Sequence, residues 1–430
     1  ARLAGLRALA LSRAHDLAPA REAGEDALRA AVATGDREAH VQALFALGEI
    51  ALNAGENALA LERFTALGAV DPSFFPEEIV AYQHMDDFVT SERLLVKAAD
   101  DSGGVREAML LWAQGQQHLE LGRLDDAEAD LVTMERLEDD VQAHVQQVNG
   151  RVIRSRIALL RGDPEAARQH LAEARERLAV KPNPGNTAAV RFLEAVHAEA
   201  DGDAGLAVDR IRQVQREGPF LRWRLLRTWV GTAIRMALRG ADRALAEDLA
   251  AQAEAHAVRN PGVPTATGVA ARARGLLCDD PVLLARAVAL LEEGPRPLVR
   301  AGASADLGRA LLAAGRRAEA VAALTEARTV FSASGAHAAA ARVQRDLRRA
   351  GAGGHRAAQG RRPVQGWEAL TASEKKVARL IAEGHTNRTA AEVLVVSPHT
   401  VNTHLTSAFR KLCVNSRVQL ANLVMALPDE

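Results

Sequence analysis

Five polar side chains between positions 399 and 410 recur at the spacing of one helix face. The other face of this segment is apolar, with Val401, Leu405, Ala408 and Leu412 at helical spacing. Hydroxyl, amide, imidazole and guanidinium groups can hydrogen-bond to base edges and phosphates. The pattern therefore predicts a half-buried helix that offers hydrogen bonds to a polar partner. The polar residues are His399, Asn402, Thr403, Thr406 and Arg410.

Patterns for catalysis or metal binding are missing from the sequence. There is no Gly-Lys dipeptide for a phosphate-binding loop, no HExxH and no GxSxG. Thirteen histidines are dispersed, and acidic runs such as Glu138, Asp139 and Asp140 are typical of solvated helix faces. The two cysteines, Cys278 and Cys413, form neither a CxxC motif nor a disulfide framework, which fits a reducing cytosol. We expect a cytoplasmic protein that is not an enzyme and holds no cofactor or metal.

Capping signals divide residues 367–430 into four short helices that position the polar face. A capping box opens the first helix, which ends at Gly384, and Thr386 or Asn387 can cap the second. A Ser-Pro pair begins the third, and a second capping-box pattern opens the fourth, whose apolar face is Leu420, Val424 and Leu427. A short helix, a tight turn and a longer polar helix is the layout of a helix-turn-helix. The capping pairs are Thr371 with Glu374, Ser397 with Pro398, and Ser416 with Gln419.

Several separate motifs in this segment resemble the LuxR-type helix-turn-helix of bacterial transcription regulators. The resemblance covers about 60 of the 430 residues. The matching stretches are LTASEKKV at 370–377, EG at 383–384, TNR at 386–388, SPHTVNTHL at 397–405 and RKLCVNSR at 410–417.

The resemblance implies that the third helix binds DNA. The family usually has lysine after the Thr-Val pair, but this chain has Asn402, which can pair bidentately with adenine. Thr403 and Thr406 would reach base edges or thymine methyl groups only at close approach. His404 matches the family, and it is either a packing residue or a DNA contact. The expected phosphate or backbone contacts are Asn387, Arg388, Thr400, Arg410, Lys411 and Arg417, although Arg410 and Lys411 also suit a solvated helix end.

Charge in the terminal segment is nearly balanced. Residues 367–430 contain seven Lys or Arg and six Asp or Glu, a difference of +1. Such a segment gains little from counterion release, so we expect a homodimer on double-stranded DNA. The family's usual Gly after the third helix is Cys413 here, so either Cys413 adopts a left-handed conformation at a cost of roughly 1 kcal/mol, or the helix ends in a different way.

The first 350 residues contain a repeat with a turn every 37 to 40 positions. From Gly122 the turns recur at Gly162, Gly202, Gly240, Cys278 and Gly315, and an earlier one falls at Gly55. A small residue usually stands seven positions before each turn, as Gly48 and Gly308 do, and Ala usually stands five positions after it. Small residues on both arms of a helical hairpin let the helices cross closely. We expect hairpins that stack mainly on their neighbours.

This pattern resembles the tetratricopeptide repeat, although most units exceed its 34 residues. A plain α-helical bundle with Ala-rich packing is the alternative, but the regular spacing disfavours it. The fold prediction is all-α, because alternating strand patterns are missing and aromatic residues make up 3% of the chain. No stretch approaches the roughly 18 uncharged apolar residues of a membrane span, and the formal net charge is -1.

The domain prediction is an array over 1–349, a flexible linker over 350–366 and a terminal domain over 367–430 that folds by itself. The linker has five glycines and a proline. This order resembles the large ATP-binding LuxR-type regulators, in which a nucleoside-triphosphatase precedes these two parts. Because residue 1 is Ala and not Met, we expect an N-terminal part to be missing from this sequence, and the resemblance implies that it is such a nucleoside-triphosphatase. The expected function is a transcription activator with RNA polymerase as partner, and an array that senses a ligand or protein. The alternative is an interaction scaffold whose terminal helices do not bind DNA.

Overall fold

The computed structural model describes residues 2–13, 16–71, 76–99, 105–141, 144–182, 184–216, 228–351, 365–394 and 396–426. Within these ranges the chain has 23 α-helices, one 3-10 helix and no strand, so the all-α prediction is confirmed. None of the described helices is long and apolar enough to cross a membrane. Most of the predicted linker lies outside the described residues.

Nineteen helices precede residue 350. They are α1 (Arg2–Arg13), α2 (Leu17–Thr34), α3 (Arg37–Ala54), α4 (Asn57–Val70), α5 (Pro76–His84), α6 (Phe88–Ala99), α7 (Val105–Glu120), α8 (Leu124–Val141), α9 (His144–Arg161), α10 (Pro164–Val180), α11 (Pro184–Ala200), α12 (Ala204–Arg216), α13 (Val230–Arg239), α14 (Arg243–Arg259), α15 (Pro264–Cys278), α16 (Pro281–Glu292), α17 (Pro297–Ala313), α18 (Arg317–Ala333) and α19 (His337–Arg349). Successive helices pack as hairpins, and neighbouring hairpins stack, which confirms a tetratricopeptide-like repeat.

Small residues do allow the close helix crossings that the repeat predicts. A Cβ on Gly48 would come within 2.6 Å of the Phe64 ring, and one on Gly308 within 2.5 Å of Leu324. The turn after Gly240 differs from the prediction, because Gly240 has φ -80° and Ala241 adopts φ 57°. Gly240 is needed for packing instead, since a Cβ there would meet the Val208 side chain at 2.5 Å.

The array also makes contacts between units far apart in sequence, which corrects the expectation of mainly neighbouring contacts. Arg296, 1% exposed, donates to Glu120 at 2.8 Å, to the Gln83 carbonyl at 2.6 Å and to Thr265 at 2.9 Å. Asn260 donates to the Gly55 carbonyl at 2.7 Å. Helix α19 packs on α9. The array therefore turns back on itself and encloses space between its inner helices.

The terminal domain contains a 3-10 helix (Trp367–Ala369) and four α-helices, α20 (Ala372–Ala382), α21 (Asn387–Leu394), α22 (Pro398–Leu412) and α23 (Arg417–Met425). The predicted capping box exists: Thr371 Oγ1 accepts from Glu374 N at 3.1 Å, and Glu374 accepts from Thr371 N at 2.7 Å. Val401 and Leu405 of α22 are buried as predicted, together with Leu420 of α23. Leu427 lies outside the described residues.

Candidate nucleic-acid interface

Helix α22 is fixed at both ends by the signals found in the sequence. Ser397 Oγ accepts from Thr400 N at 3.0 Å, and Pro398 is the first helical residue. Cys413 has φ 56° and ψ 36°, the left-handed conformation that the missing glycine requires. Because both ends of α22 are capped, the helix is regular between them and its side chains have fixed directions.

Besides His399, three polar residues of α22 face solvent. They are Asn402, Thr406 and Arg410. The Thr406 hydroxyl donates to the Asn402 backbone carbonyl at 2.9 Å, and the Asn402 residue is exposed. Arg410 makes no ion pair with any described residue. This face can present an amide, a hydroxyl and a guanidinium to a nucleic acid.

The N-terminus of α21 lies beside this face. Asn387 Nδ2 donates to Asn402 Oδ1 at 3.4 Å, and Asn387 Oδ1 accepts from Arg417. Arg417 also donates to the His385 carbonyl at 3.3 Å. Arg388 is exposed and pairs with Glu392 at 3.6 Å. The structure thus brings together Asn387, Asn402 and Arg417, while a neighbouring carboxylate offsets the charge of Arg388.

Lys411 is half-buried and forms an ion pair within the domain. Its ammonium contacts both carboxylate oxygens of Glu374, at 2.8 and 2.7 Å, and the Glu374 side chain is 5% exposed. Burial alone would raise the pKa of Glu374, but hydrogen bonds from Lys411, Ser407 and the Thr371 backbone lower it. Sequence reasoning assigned Glu374 only to the capping box, so it missed this ion pair.

The remaining face of α22 contacts the array. Thr400, 1% exposed, donates to Asp130, and His404 Nε2 lies 2.9 Å from Asp126 Oδ1. The hydroxyls of Thr403 and Thr133 are 3.3 Å apart. We call the partners on the array the docking face; they are Glu107, which lies 3.3 Å from His399 Nε2, Asp126, Asp130 and Thr133.

Charge on the docking face is negative. Helix α8, which supplies three of its residues, contains eight Asp or Glu and one Arg. Asp130 also contacts His118 at 2.7 Å. Burial would lower the pKa of His118, but Asp130 and Asp126 raise it. Burial would raise the pKa of Asp126, but hydrogen bonding to His404 and the charge of His118 lower it.

The docking face was not predicted from the sequence. The carboxylates of α8 look like an ordinary solvated face, because nothing local shows that another helix covers them. The only signal is the run of acidic residues itself. His404, for which packing and DNA contact were both left open, lies against Asp126 here with its side chain 6% exposed.

Comparison with known proteins identifies the terminal helices. Residues 368–424 match the family of bacterial regulatory proteins, luxR family (GerE). Residues 368–424 form a LuxR-family helix-turn-helix domain. The matched residues include α20, α21, α22 and all but the last residue of α23.

Curated relatives match a short part of the chain. Proteins of Mycobacterium tuberculosis and Mycobacterium bovis that are named as HTH-type transcriptional regulators are 50% identical to this chain over 62 residues. The match spans 14% of this chain and 7% of each relative.

Solved structures resemble the chain over a longer range. A monomeric IFIT1 mutant with m7Gppp-AAAA is similar at 14% identity and a TM-score of 0.43, over 95% of this chain and 89% of that one. The Cut9-Hcn1 hetero-tetramer is similar at 14% identity and a TM-score of 0.34, over 81% of this chain and 80% of that one.

Proposed function

We propose that the protein is a sequence-specific, DNA-binding bacterial transcription regulator that activates transcription. The observation that carries this proposal is the solvent-facing row of Asn402, Thr406 and Arg410 on a capped α22 within a LuxR-family domain. In a helix-turn-helix, such a row enters the major groove, where an amide can pair with adenine. The chain acts by binding, without catalysis.

The docking face supports a masked resting state. Thr400 and His404 are bonded to carboxylates of α8, so these groups cannot contact DNA at the same time. The major groove is about 12 Å wide, and a helix with its side chains is about 10–12 Å across. The groove therefore has no room for α22 together with α8. The LuxR-family domain must leave the docking face before α22 enters the groove.

The competing function is an interaction scaffold that does not bind DNA. The observation that favours it is the same docking, because α22 already has a partner within the chain. The two functions differ in one respect. A regulator binds DNA once α22 is released, whereas a scaffold does not.

A homodimer on DNA and a contact with RNA polymerase belong to the same proposal. The side chains of Val418 and Met425 on α23 are 70% and 69% exposed, which gives a partner domain apolar groups to cover. Two-fold pairing places inverted half-sites about one helical turn, or a multiple of it, apart. Inserting about five base pairs between half-sites should abolish tight binding, and about ten should partly restore it.

Fluorescence-polarisation titration tests the proposal. The full chain and residues 363–430 are each titrated onto promoter fragments and onto random duplex DNA. Asn402→Ala should cost about 1–3 kcal/mol on the cognate site alone. Arg410→Ala should weaken all sequences alike and reduce the salt slope by roughly one. Arg348→Ala in the array is the matched control and should change neither. Equal, weak binding of every duplex by residues 363–430 would support the scaffold instead.

A further inference from the structure

A cavity of about 600 Å³ lies between the inner helices of the array. Residues of α9, α11, α13, α15, α17, α18 and α19 line it, so it exists only because α19 packs back on α9. Its volume is in the usual range for sites that bind small molecules, about 300–1,000 Å³. Neither the helix-turn-helix nor the docking face uses it.

The cavity wall is unusually rich in arginine. Seven arginines and two carboxylates, Glu199 and Asp306, line it. The arginines therefore exceed the lining carboxylates by five. They are Arg156, Arg235, Arg239, Arg272, Arg309, Arg342 and Arg345.

Three of these arginines form a rigid frame around one buried carboxylate. Asp306, 1% exposed at its side chain, accepts from Arg235 at 2.8 Å, Arg272 at 2.7 Å and Arg309 at 2.9 Å. Gly231 and Gly302 leave room for the Arg272 guanidinium, since a Cβ on either would come within 2.8 or 2.9 Å of it. Arg309 also pairs with Asp346 at 2.8 Å, so three guanidinium groups share two carboxylates and the frame keeps one excess positive charge.

Crowding of like charges affects the pKa values along the wall. Burial lowers the pKa of Arg235 to about 10, and Arg272 and Arg309 act in the same direction, although Asp306 opposes them. Burial also lowers the pKa of Arg342. The negative charge of Glu199 raises this pKa, while the positive charges of Arg309, Arg345 and Arg239 lower it further. An anion in the cavity would relieve this repulsion.

Two arginines of α19 remain available to such an anion. Arg342 and Arg345 have no ion-pair or hydrogen-bond partner among the described residues. They lie three positions apart on one helix, so their side chains point to the same side. Arginine forms paired hydrogen bonds to phosphate or carboxylate oxygens.

Another part of the wall is apolar and aromatic. The Arg156 guanidinium lies 3.9 Å from the Trp229 ring centroid, and the Phe192 ring packs edge-on against Trp229 with the two ring centroids 5.0 Å apart. Leu159 and Phe331 also line the cavity. A ligand that fills this space needs an uncharged portion as well as an anionic group.

We propose that this cavity binds a small organic molecule carrying phosphate groups, with Arg342 and Arg345 contacting the phosphates and Trp229 beside the uncharged portion. The site assigns a class of ligand to the sensing role that the sequence analysis expects of the array. The effect of this ligand on transcription rests on the proposed function. Binding is measured without DNA, so it can fail independently of the proposed function.

Isothermal titration calorimetry of the full chain tests the site with adenosine triphosphate, inorganic pyrophosphate and uncharged adenosine as probes. Adenosine triphosphate should bind one molecule per chain, weaken with salt and exceed adenosine in affinity. Arg342→Gln and Arg345→Gln should each weaken it by about tenfold or more, as loss of a charge-assisted contact does. Arg348→Gln, an exposed arginine of the same helix outside the cavity wall, is the matched control.

Each outcome decides the matter. Binding that both cavity variants lose and Arg348→Gln keeps supports the site, and equal affinity for pyrophosphate would assign the interaction to the phosphates alone. Absence of binding by both phosphate probes up to about 10 mM, a range far weaker than ordinary metabolite sites, overturns it. Affinity unchanged by Arg342→Gln and Arg345→Gln, or equal affinity for adenosine, overturns it as well. Circular dichroism of each variant separates a lost site from a lost fold.

Discussion

The cavity of the array and the surface of the LuxR-family domain differ in their excess of positive charge, although both contain arginines without an ion pair among the described residues. In the cavity, seven arginines face two carboxylates, and Arg342 and Arg345 have no partner among the described residues. In the LuxR-family domain, Lys411 is paired with Glu374 and Arg388 with Glu392. The arginine-rich cavity therefore lies outside the helix-turn-helix.

The two regions indicate two kinds of recognition, of DNA by the domain and of a small anion by the cavity. In the domain, the arrangement of caps, turns and exposed polar groups points to DNA, while net charge contributes little. In the cavity no motif exists, and the excess of guanidinium groups is itself the signal for an anion. Charge that is paired in the folded chain holds the fold, and charge that is left unpaired is available to a ligand.

Removing one positive charge should therefore have opposite effects on stability in the two regions. Lys411→Met leaves Glu374 buried without its partner and should destabilise the domain by about 3 kcal/mol. Arg342→Gln removes a crowded cation and should change array stability by less than about 0.5 kcal/mol, or raise it. Hydrogen exchange read by mass spectrometry over residues 372–425 and over α19 measures both in one experiment.

The double change Lys411→Met with Glu374→Gln is the control, because it removes the unpaired charge and should recover much of the loss. If Lys411→Met leaves exchange over residues 372–425 unchanged, the ammonium is free to contact phosphate, as the sequence analysis expects.

How far the sequence predicts these regions depends on whether the information is local. Capping at Thr371 and Ser397 and the left-handed Cys413 follow from neighbouring residues, and the structure confirms them. The cavity and the docking face depend on how the array turns, which brings Arg345 of α19 towards α9 and Asp126 of α8 to His404. No local pattern encodes contacts between residues separated by more than 150 positions, so these were missed.

A change on the docking face should have an intermediate effect. Asp126→Asn weakens the contact with His404, and loss of about 1–2 kcal/mol of docking should tighten DNA binding of the full chain by roughly tenfold. Asp125→Asn removes the same charge from the same helix but affects only the pair with Arg161 at 2.8 Å, so it should have little effect. Polarisation titration of both variants tests this, and equal affinities would show that Asp126 does not hold the domain.

The smallest expected effect concerns pH. The folded pKa of His118 is raised above its ordinary value of 6.5, because Asp130 and Asp126 outweigh burial. A raised pKa stabilises the fold fully below the unfolded value, and this contribution is lost as pH rises through the folded pKa. The thermal midpoint of the array should therefore fall as pH rises above 6.5, and His118→Gln should flatten that slope. An unchanged slope in the variant would assign the pH dependence to other groups.

The central claim is that the docking face keeps α22 from DNA, and a reversible covalent lock tests it most directly. The hydroxyls of Thr133 and Thr403 are in contact, so cysteines at these positions can form a disulfide when the exposed Cys278 and Cys413 are first replaced by serine. Thr403→Cys alone in the same background controls for loss of the threonine. DNA affinity of the double variant should be lost on oxidation and restored by dithiothreitol, with the single variant indifferent to both. Equal DNA affinity of the oxidised and reduced double variant, with the disulfide verified by mass spectrometry, would contradict the account.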